Sequence, residues 1–219
     1  MFGPLGLLFS GNTGFDPVSF LIVVTAVLFG LVLHNVVQAR LAARYGDSSP
    51  ALAGFASTEP RVHFDLLSLL FFLLLGLALP RPIPLNARRI PGRGGLEAWI
   101  WMSGVLTLIA WAFVLMLILA IQREFLPQLN IITAGLSTSV SLVLIHAAVF
   151  IFPLPPLDGA RALAAAGSYR VREALNRLSA GGPLVVLIFF LVLSFLGVFS
   201  FIANLFYIPL NFIIQLLPF

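Results

Sequence analysis

Four stretches of this chain, 18–40, 98–121, 131–152 and 184–203, are apolar over the length a helix needs to cross about 30 Å of hydrocarbon. Each is predicted to be a spanning helix. A fifth apolar run, 66–79, is shorter, and Pro80, Pro82 and Pro84 end it. Its length predicts a re-entrant segment that enters and returns. The tail 205–217 is apolar but interrupted by Pro209, so a short last span or an interfacial segment is expected there. Pro153, Pro155 and Pro156 stop the run 131–152. Beyond them 160–178 is rich in alanine and arginine and reads as one amphipathic helix at the membrane interface. No long repeat and no soluble domain is visible, so 1–219 is expected to be a single, all-α polytopic membrane bundle.

Composition agrees with this pattern. Sixty per cent of the residues are hydrophobic and 9% are charged, with a mean hydropathy of +1.09. A soluble domain is about a quarter charged, so this chain cannot cover its surface with polar groups, and lipid is the solvent that fits. The chain has no cysteine, which excludes disulfides and thiolate metal sites. All 12 basic residues are arginines, scattered through the loops. The net charge of +4 therefore speaks for orientation in a membrane and against a nucleic-acid partner. If 66–79 crossed, the arginines of 81–93 and 161–177 would lie opposite Arg40, Arg44 and Arg61. If it returns, all of them share one side and Arg123 alone lies opposite, beside Glu124. The second arrangement obeys the positive-inside rule. It puts the amino terminus outside, and His34 and Asp158 at the cytoplasmic face. The segment 1–14 has no basic residue and no clear cleavage site, which predicts no removable signal peptide.

Polar side chains within apolar helices are expensive and need a reason. His34, Asn35 and Gln38 lie in the first span, His34 and Gln38 four apart on one helix face. Asp158 follows the run 131–152, in Pro155-Pro156-Leu157-Asp158-Gly159. Two readings stand side by side. The three α-helical residues are either interhelical hydrogen-bonding groups or part of a metal site. Asp158 is either a turn residue paired with Arg161 or His34, or a carboxylate on a cation. His146 lies about 18 Å along the helix from Asp158, so burial with a backbone partner is expected of it. His63 lies in a loop that could fold back as a substitute ligand.

The stretch Leu33-His34-Asn35-Val36-Val37-Gln38-Ala39, followed by Arg44-Tyr45-Gly46-Asp47, resembles the L-H-E-x-x-H-A…R-x-G-D of site-2 proteases. In the same order, His63-Phe64-Asp65 resembles that family's H-I-D, and Pro80-Arg81-Pro82-Ile83-Pro84-Leu85-Asn86 its K-P-V-P-V-N. Phe152-Pro153-Leu154-Pro155-Pro156-Leu157-Asp158-Gly159-Ala160-Arg161 resembles its L-P-I-P-P-L-D-G-S-R. The resemblance implies a helix bundle of that type in which two histidines and the aspartate hold zinc. A glutamate activates the metal-bound water for peptide hydrolysis within the membrane. His34 and Asp158 keep two ligand positions; Gln38 replaces the second histidine, and Asn35 the general base. An amide has no titratable group near neutral pH and cannot take a proton from water. Leu108 and Phe150 stand where the family has substrate-holding asparagines.

An inactive homologue that binds or regulates transmembrane-helix clients is the expectation, sited in a bacterial inner (plasma) membrane. Its partners would be a transmembrane protein or peptide helix and membrane lipid, with no nucleic acid. No cofactor is expected, weakly held zinc being the alternative. Two rival functions remain: an active zinc metalloprotease using His34, Asp158 and His63, and a small permease. The permease is opposed by the few buried charges and the absence of paired halves.

Overall fold

The computed structural model describes Pro4, 16–92 and 94–217. The signal-peptide expectation for 1–14 falls, Pro4 aside, outside these residues. The first helix, α1 (Pro17–Arg44), starts where Pro17 supplies a helix-ready φ and the Asp16 carboxylate accepts the Ser19 N–H at 3.0 Å. Two short helices, α2 (Ser49–Leu52) and α3 (Pro60–His63), occupy the polar loop. Two further long helices, α5 (Gly95–Phe125) and α6 (Asn130–Ile151), are joined by a short turn and pack with α1 into a three-helix bundle. Val27, Leu31, Leu108, Val143 and Ala147 are fully buried between them. The outer surface carries exposed Leu21, Phe71, Ile118 and Phe201. Such a surface suits hydrocarbon. Four helices, α1, α5, α6 and α10 (Val198–Gln215), are long and apolar enough to cross a membrane, and the protein is an all-α polytopic membrane bundle.

The run 66–79 folds as a hairpin. Asp65 caps α4 (Leu66–Leu75) by accepting the Ser68 N–H at 2.7 Å, Gly76 ends it, and the chain continues extended. The Ser68 hydroxyl donates to the Leu79 carbonyl at 2.7 Å, and the Arg81 N–H to the His63 carbonyl at 2.7 Å. The chain thus returns to the level at which α4 began. Ten residues of helix reach about 15 Å, half the hydrocarbon thickness.

Three expectations need correction. The run 184–203 is not one span, because α9 (Gly182–Phe195) and α10 are separate helices divided at Gly197, whose φ of +73° suits a residue without a Cβ. The tail 205–217 is largely the second half of α10 and is not broken at Pro209, which lies inside the helix. Proline is tolerated in apolar helices where neighbours satisfy the freed carbonyl. The amphipathic stretch 160–178 is two helices, α7 (Asp158–Ala166) and α8 (Tyr169–Ala180), since Gly167 and Ser168 are extended and turn the chain. Packing on α6 and α5, α10 buries Phe199 between the rings of Phe152 and Phe190, at 5.5 and 5.2 Å.

Candidate functional site

His34 and Gln38 project from α1 toward α5, and Gly104 makes the room. A Cβ at residue 104 would lie 2.5 Å from His34 Cδ2, His34 Nε2 and Gln38 Nε2. From below, the Pro155-Pro156 turn returns the chain so that α7 begins under the end of α6. Gly159 lets that happen: a Cβ there would collide with the Ile151 carbonyl. The result is a buried cluster of His34, Asn35, Gln38 and Asp158, none more than 5% exposed.

The hydrogen bonds of the cluster define its chemistry. Gln38 Nε2 donates to Asp158 Oδ2 at 2.7 Å and to the Trp101 carbonyl at 2.9 Å. Both partners are pure acceptors, so the amide orientation is determined. Asn35 Nδ2 donates to the Arg81 carbonyl at 3.0 Å, which turns its Oδ1 toward His34 Nδ1, also at 3.0 Å. Nδ1 therefore carries a hydrogen. His34 Nε2 lies 2.7 Å from Asp158 Oδ2. At that distance the two atoms cannot both present lone pairs, so imidazole and carboxyl are hydrogen-bonded to each other. Such a network, closed on itself and anchored on two backbone carbonyls, satisfies polar groups that would each cost several kcal/mol if left bare.

This set does not fit zinc. Two ligands of a tetrahedral zinc, each bonded at about 2.0–2.1 Å, lie roughly 3.3 Å apart, whereas His34 Nε2 and Asp158 Oδ2 are 2.7 Å apart. Gln38 presents its NH₂, a donor, where a ligand must present a lone pair. Among the described residues no group of three or more histidines and carboxylates could hold a metal ion. His63, the proposed substitute, is fully buried, with Nε2 2.9 Å from the Ser57 carbonyl and its ring edge-on to Phe55. Asn35 is bound to a backbone carbonyl and holds the imidazole; it has no basic lone pair for water.

Phe150 lies against the His34 ring with centroids 4.7 Å apart, closing the cluster on its α6 side with an apolar wall. Leu108 is fully buried in the apolar core. Neither offers a polar group to a ligand. His146 is fully buried; Nδ1 donates to the Leu142 carbonyl at 2.7 Å, and Nε2 accepts the Ala78 N–H at 3.0 Å. It thus pins the extended segment that also delivers the Arg81 carbonyl.

Sequence reasoning missed the role of Gly104 and the Trp101 and Arg81 carbonyls, and it offered Arg161 as a partner of Asp158, whereas its guanidinium lies 4.5 Å over the Trp101 ring. Only Gly104 left a trace, a glycine inside a long apolar helix, where small residues mark close approach.

No family model matches the chain, and no solved structure matches it. It is similar to a Bacillus subtilis (strain 168) protein named "Putative zinc metalloprotease YwhC", 25% identical over 172 residues, which are 76% of this chain and 78% of that protein. The chain is thus a membrane protein whose sequence is similar to that of a protein so named.

Proposed function

We propose that this protein is a non-hydrolytic member of the site-2 protease type that holds a transmembrane helix of a client protein, in a bacterial inner membrane with the His34–Asp158 cluster toward the cytoplasm. One observation carries the non-hydrolytic part: the amides of Asn35 and Gln38 donate to backbone carbonyls, and His34 Nε2 and Asp158 Oδ2 lie 2.7 Å apart, closer than two ligands of one tetrahedral zinc. Neither amide has a basic group to take a proton from water. The client-binding part is supported by the ordered likeness of the chain to intramembrane proteases and by a hairpin, 66–79, whose extended return is bonded to His146 of α6.

A hydrolytic reading has the name of the similar protein in its favour. Metal analysis separates the two. The purified wild-type chain is expected to contain zinc well below one per molecule and to leave single-span peptides intact. The double variant Asn35→Glu/Gln38→His is expected to bind zinc at near one per molecule. Stoichiometric zinc in the wild type, with cleavage abolished by a chelator, would overturn the proposal. Client binding is tested by energy transfer to a labelled single-span peptide in nanodiscs. Saturable transfer supports it; transfer that rises linearly with peptide density refutes it.

A further inference from the structure

On the face of the bundle away from Asp158, α5, α6 and α10 enclose a cavity of about 270 Å³. Its polar walls are Arg123 from α5, Ser137 and Ser141 from α6, and Asn204, Tyr207 and Asn211 from α10. These positions recur at helical spacing, so each helix turns one polar stripe toward the same space. Arg123 Nη2 donates to the Ser137 hydroxyl at 3.3 Å, and the Tyr207 hydroxyl to Asn211 Oδ1 at 3.4 Å. Both bonds are long, and Arg123, Asn204 and Tyr207 are exposed. Among the described residues no carboxylate pairs with Arg123.

Polar groups facing hydrocarbon require a partner. Here the partner must be anionic at one end, because the cavity has a guanidinium and no carboxylate in its wall. Depth identifies the rest. Arg123 leaves α5 in its last turn, and its guanidinium reaches inward to Ser137, about 10 Å along α6 from its start at Asn130. Asn204 lies about 16 Å from the end of α10 at Gln215, and Ser141 about 16 Å from the start of α6, so both lie about 6 Å deeper than that guanidinium, where glycerol esters follow a phosphodiester. A free phosphate would use only the Arg123 end. A phospholipid spans the track: its phosphodiester meets Arg123, and its glycerol esters, which are acceptors, lie beside the hydroxyls and amides deeper in.

We infer that this cavity is a binding site for one anionic phospholipid, in the leaflet opposite the arginine-rich loops. The guanidinium makes charge-assisted hydrogen bonds to the phosphodiester, and the α10 amides meet the glycerol esters, which a soluble ion lacks.

The test uses the full chain in non-ionic detergent, titrated with dioleoyl phosphatidylglycerol, dioleoyl phosphatidylcholine, dioleoylglycerol or inorganic phosphate, and read by native mass spectrometry. One phosphatidylglycerol per chain is expected, about tenfold tighter than phosphatidylcholine, with phosphate failing to displace it. Arg123→Gln is expected to weaken it by about tenfold, Arg123→Lys by less, and Asn204→Leu by several-fold. If Arg123→Gln does not fold, judged by gel filtration and circular dichroism, Arg123→Lys and Asn204→Leu decide the matter. Unchanged affinity in the folded variants overturns the site. Equal binding of dioleoylglycerol overturns the phosphate contact, and displacement by inorganic phosphate shows a free-anion site instead.

Discussion

Around Asp158, polar side chains from α1 and α7 bond one another and the backbone, whereas between α5, α6 and α10 a comparable number line an open cavity. Both regions lie in a protein whose outer surface suits hydrocarbon. In the first, the side-chain amides of Asn35 and Gln38 donate to internal acceptors, and the ionisable partners, His34 and Asp158, bond each other. In the second, a guanidinium has a single long bond to a serine hydroxyl, and the exposed amide of Asn204 lines the space beside it with Asn211. A closed network contributes rigidity and leaves little over for a ligand. An open one contributes little to folding and is free to bind. Likeness to a metalloprotease directs attention to the first region, while the capacity for a new partner lies in the second.

The comparison is most exposed to failure at Asp158. Asp158→Ala removes the shared acceptor of His34 and Gln38 and leaves an imidazole buried with no counterpart. Breaking a buried pair from one side costs about 3–5 kcal/mol, and thermal unfolding in detergent is expected to show a loss of that size. Adding His34→Phe to Asp158→Ala is expected to recover part of it, because both partners of the pair are then gone. Additive losses would mean the network is not a closed unit.

Gly104→Ala comes next. Its methyl would sit 2.5 Å from His34 and Gln38 atoms that are held by their own hydrogen bonds and cannot swing aside. Overpacking of this kind costs about 3 kcal/mol at the upper end of its range. The same substitution at Ser103, one residue away and bonded only to the Ile100 carbonyl, is expected to cost about 1 kcal/mol. Equal losses at 103 and 104 would show that helix packing in general, not room for the cluster, is what Gly104 provides.

Much of this was legible in the chain, and the limits have physical causes. The runs 18–40, 98–121 and 131–152 overlie α1, α5 and α6 because a Pro-free apolar stretch of that length has one stable form in lipid. The run 66–79 folds as α4 and an extended return, which its short length and its prolines allow. The break at Gly197 was hidden because hydrophobicity runs unbroken across it and only backbone handedness marks it. Pro209 misled in the other direction, since a proline disrupts a helix less where neighbouring groups take up the freed carbonyl. His34, Asn35, Gln38 and Asp158 stood out as polar residues in apolar surroundings, and the structure brings all four together. What each amide bonds to depends on the register between α1, α5 and the segment 77–86. No periodicity within one helix encodes that register, so the Trp101 and Arg81 carbonyls were out of reach.

A third measurement separates the closed network from its outer support. Asp47 is fully buried and accepts the Asn86 N–H at 2.6 Å and the Ser49 N–H at 3.1 Å, tying the loop after α1 to the end of the extended segment. Burial works against its charge, but the bonds from Ser49 and Asn86 and the nearby Arg89 guanidinium outweigh it, and its pKa lies below the ordinary carboxylate value. The folded state therefore prefers the carboxylate. That stabilisation is fully present above the unfolded pKa of about 3.9 and is lost as pH falls through the lower folded value. Asp47→Asn is expected to lower stability by about 2 kcal/mol at pH 7. The gap from wild type should close as pH drops below about 4; a gap that stays constant would place the effect in packing rather than charge.

The smallest effect is the most discriminating. Asn204→Leu replaces an amide in the open cavity by an apolar side chain of similar size. If the cavity is unpartnered within the chain, lipid-free stability in detergent should change by no more than about 0.5 kcal/mol, as at an ordinary surface position. Stability gained on adding phosphatidylglycerol should shrink, since a ligand that binds only the folded state stabilises it in proportion to its affinity. The same exchange of polar for apolar at Gln38, as Gln38→Leu, removes the donor to Asp158 and Trp101 and is expected to cost more than 1 kcal/mol with or without lipid. Should Asn204→Leu cost as much as Gln38→Leu in the absence of lipid, the amides of α10 would be satisfied inside the protein. The distinction between a closed polar region and an open one would then fail.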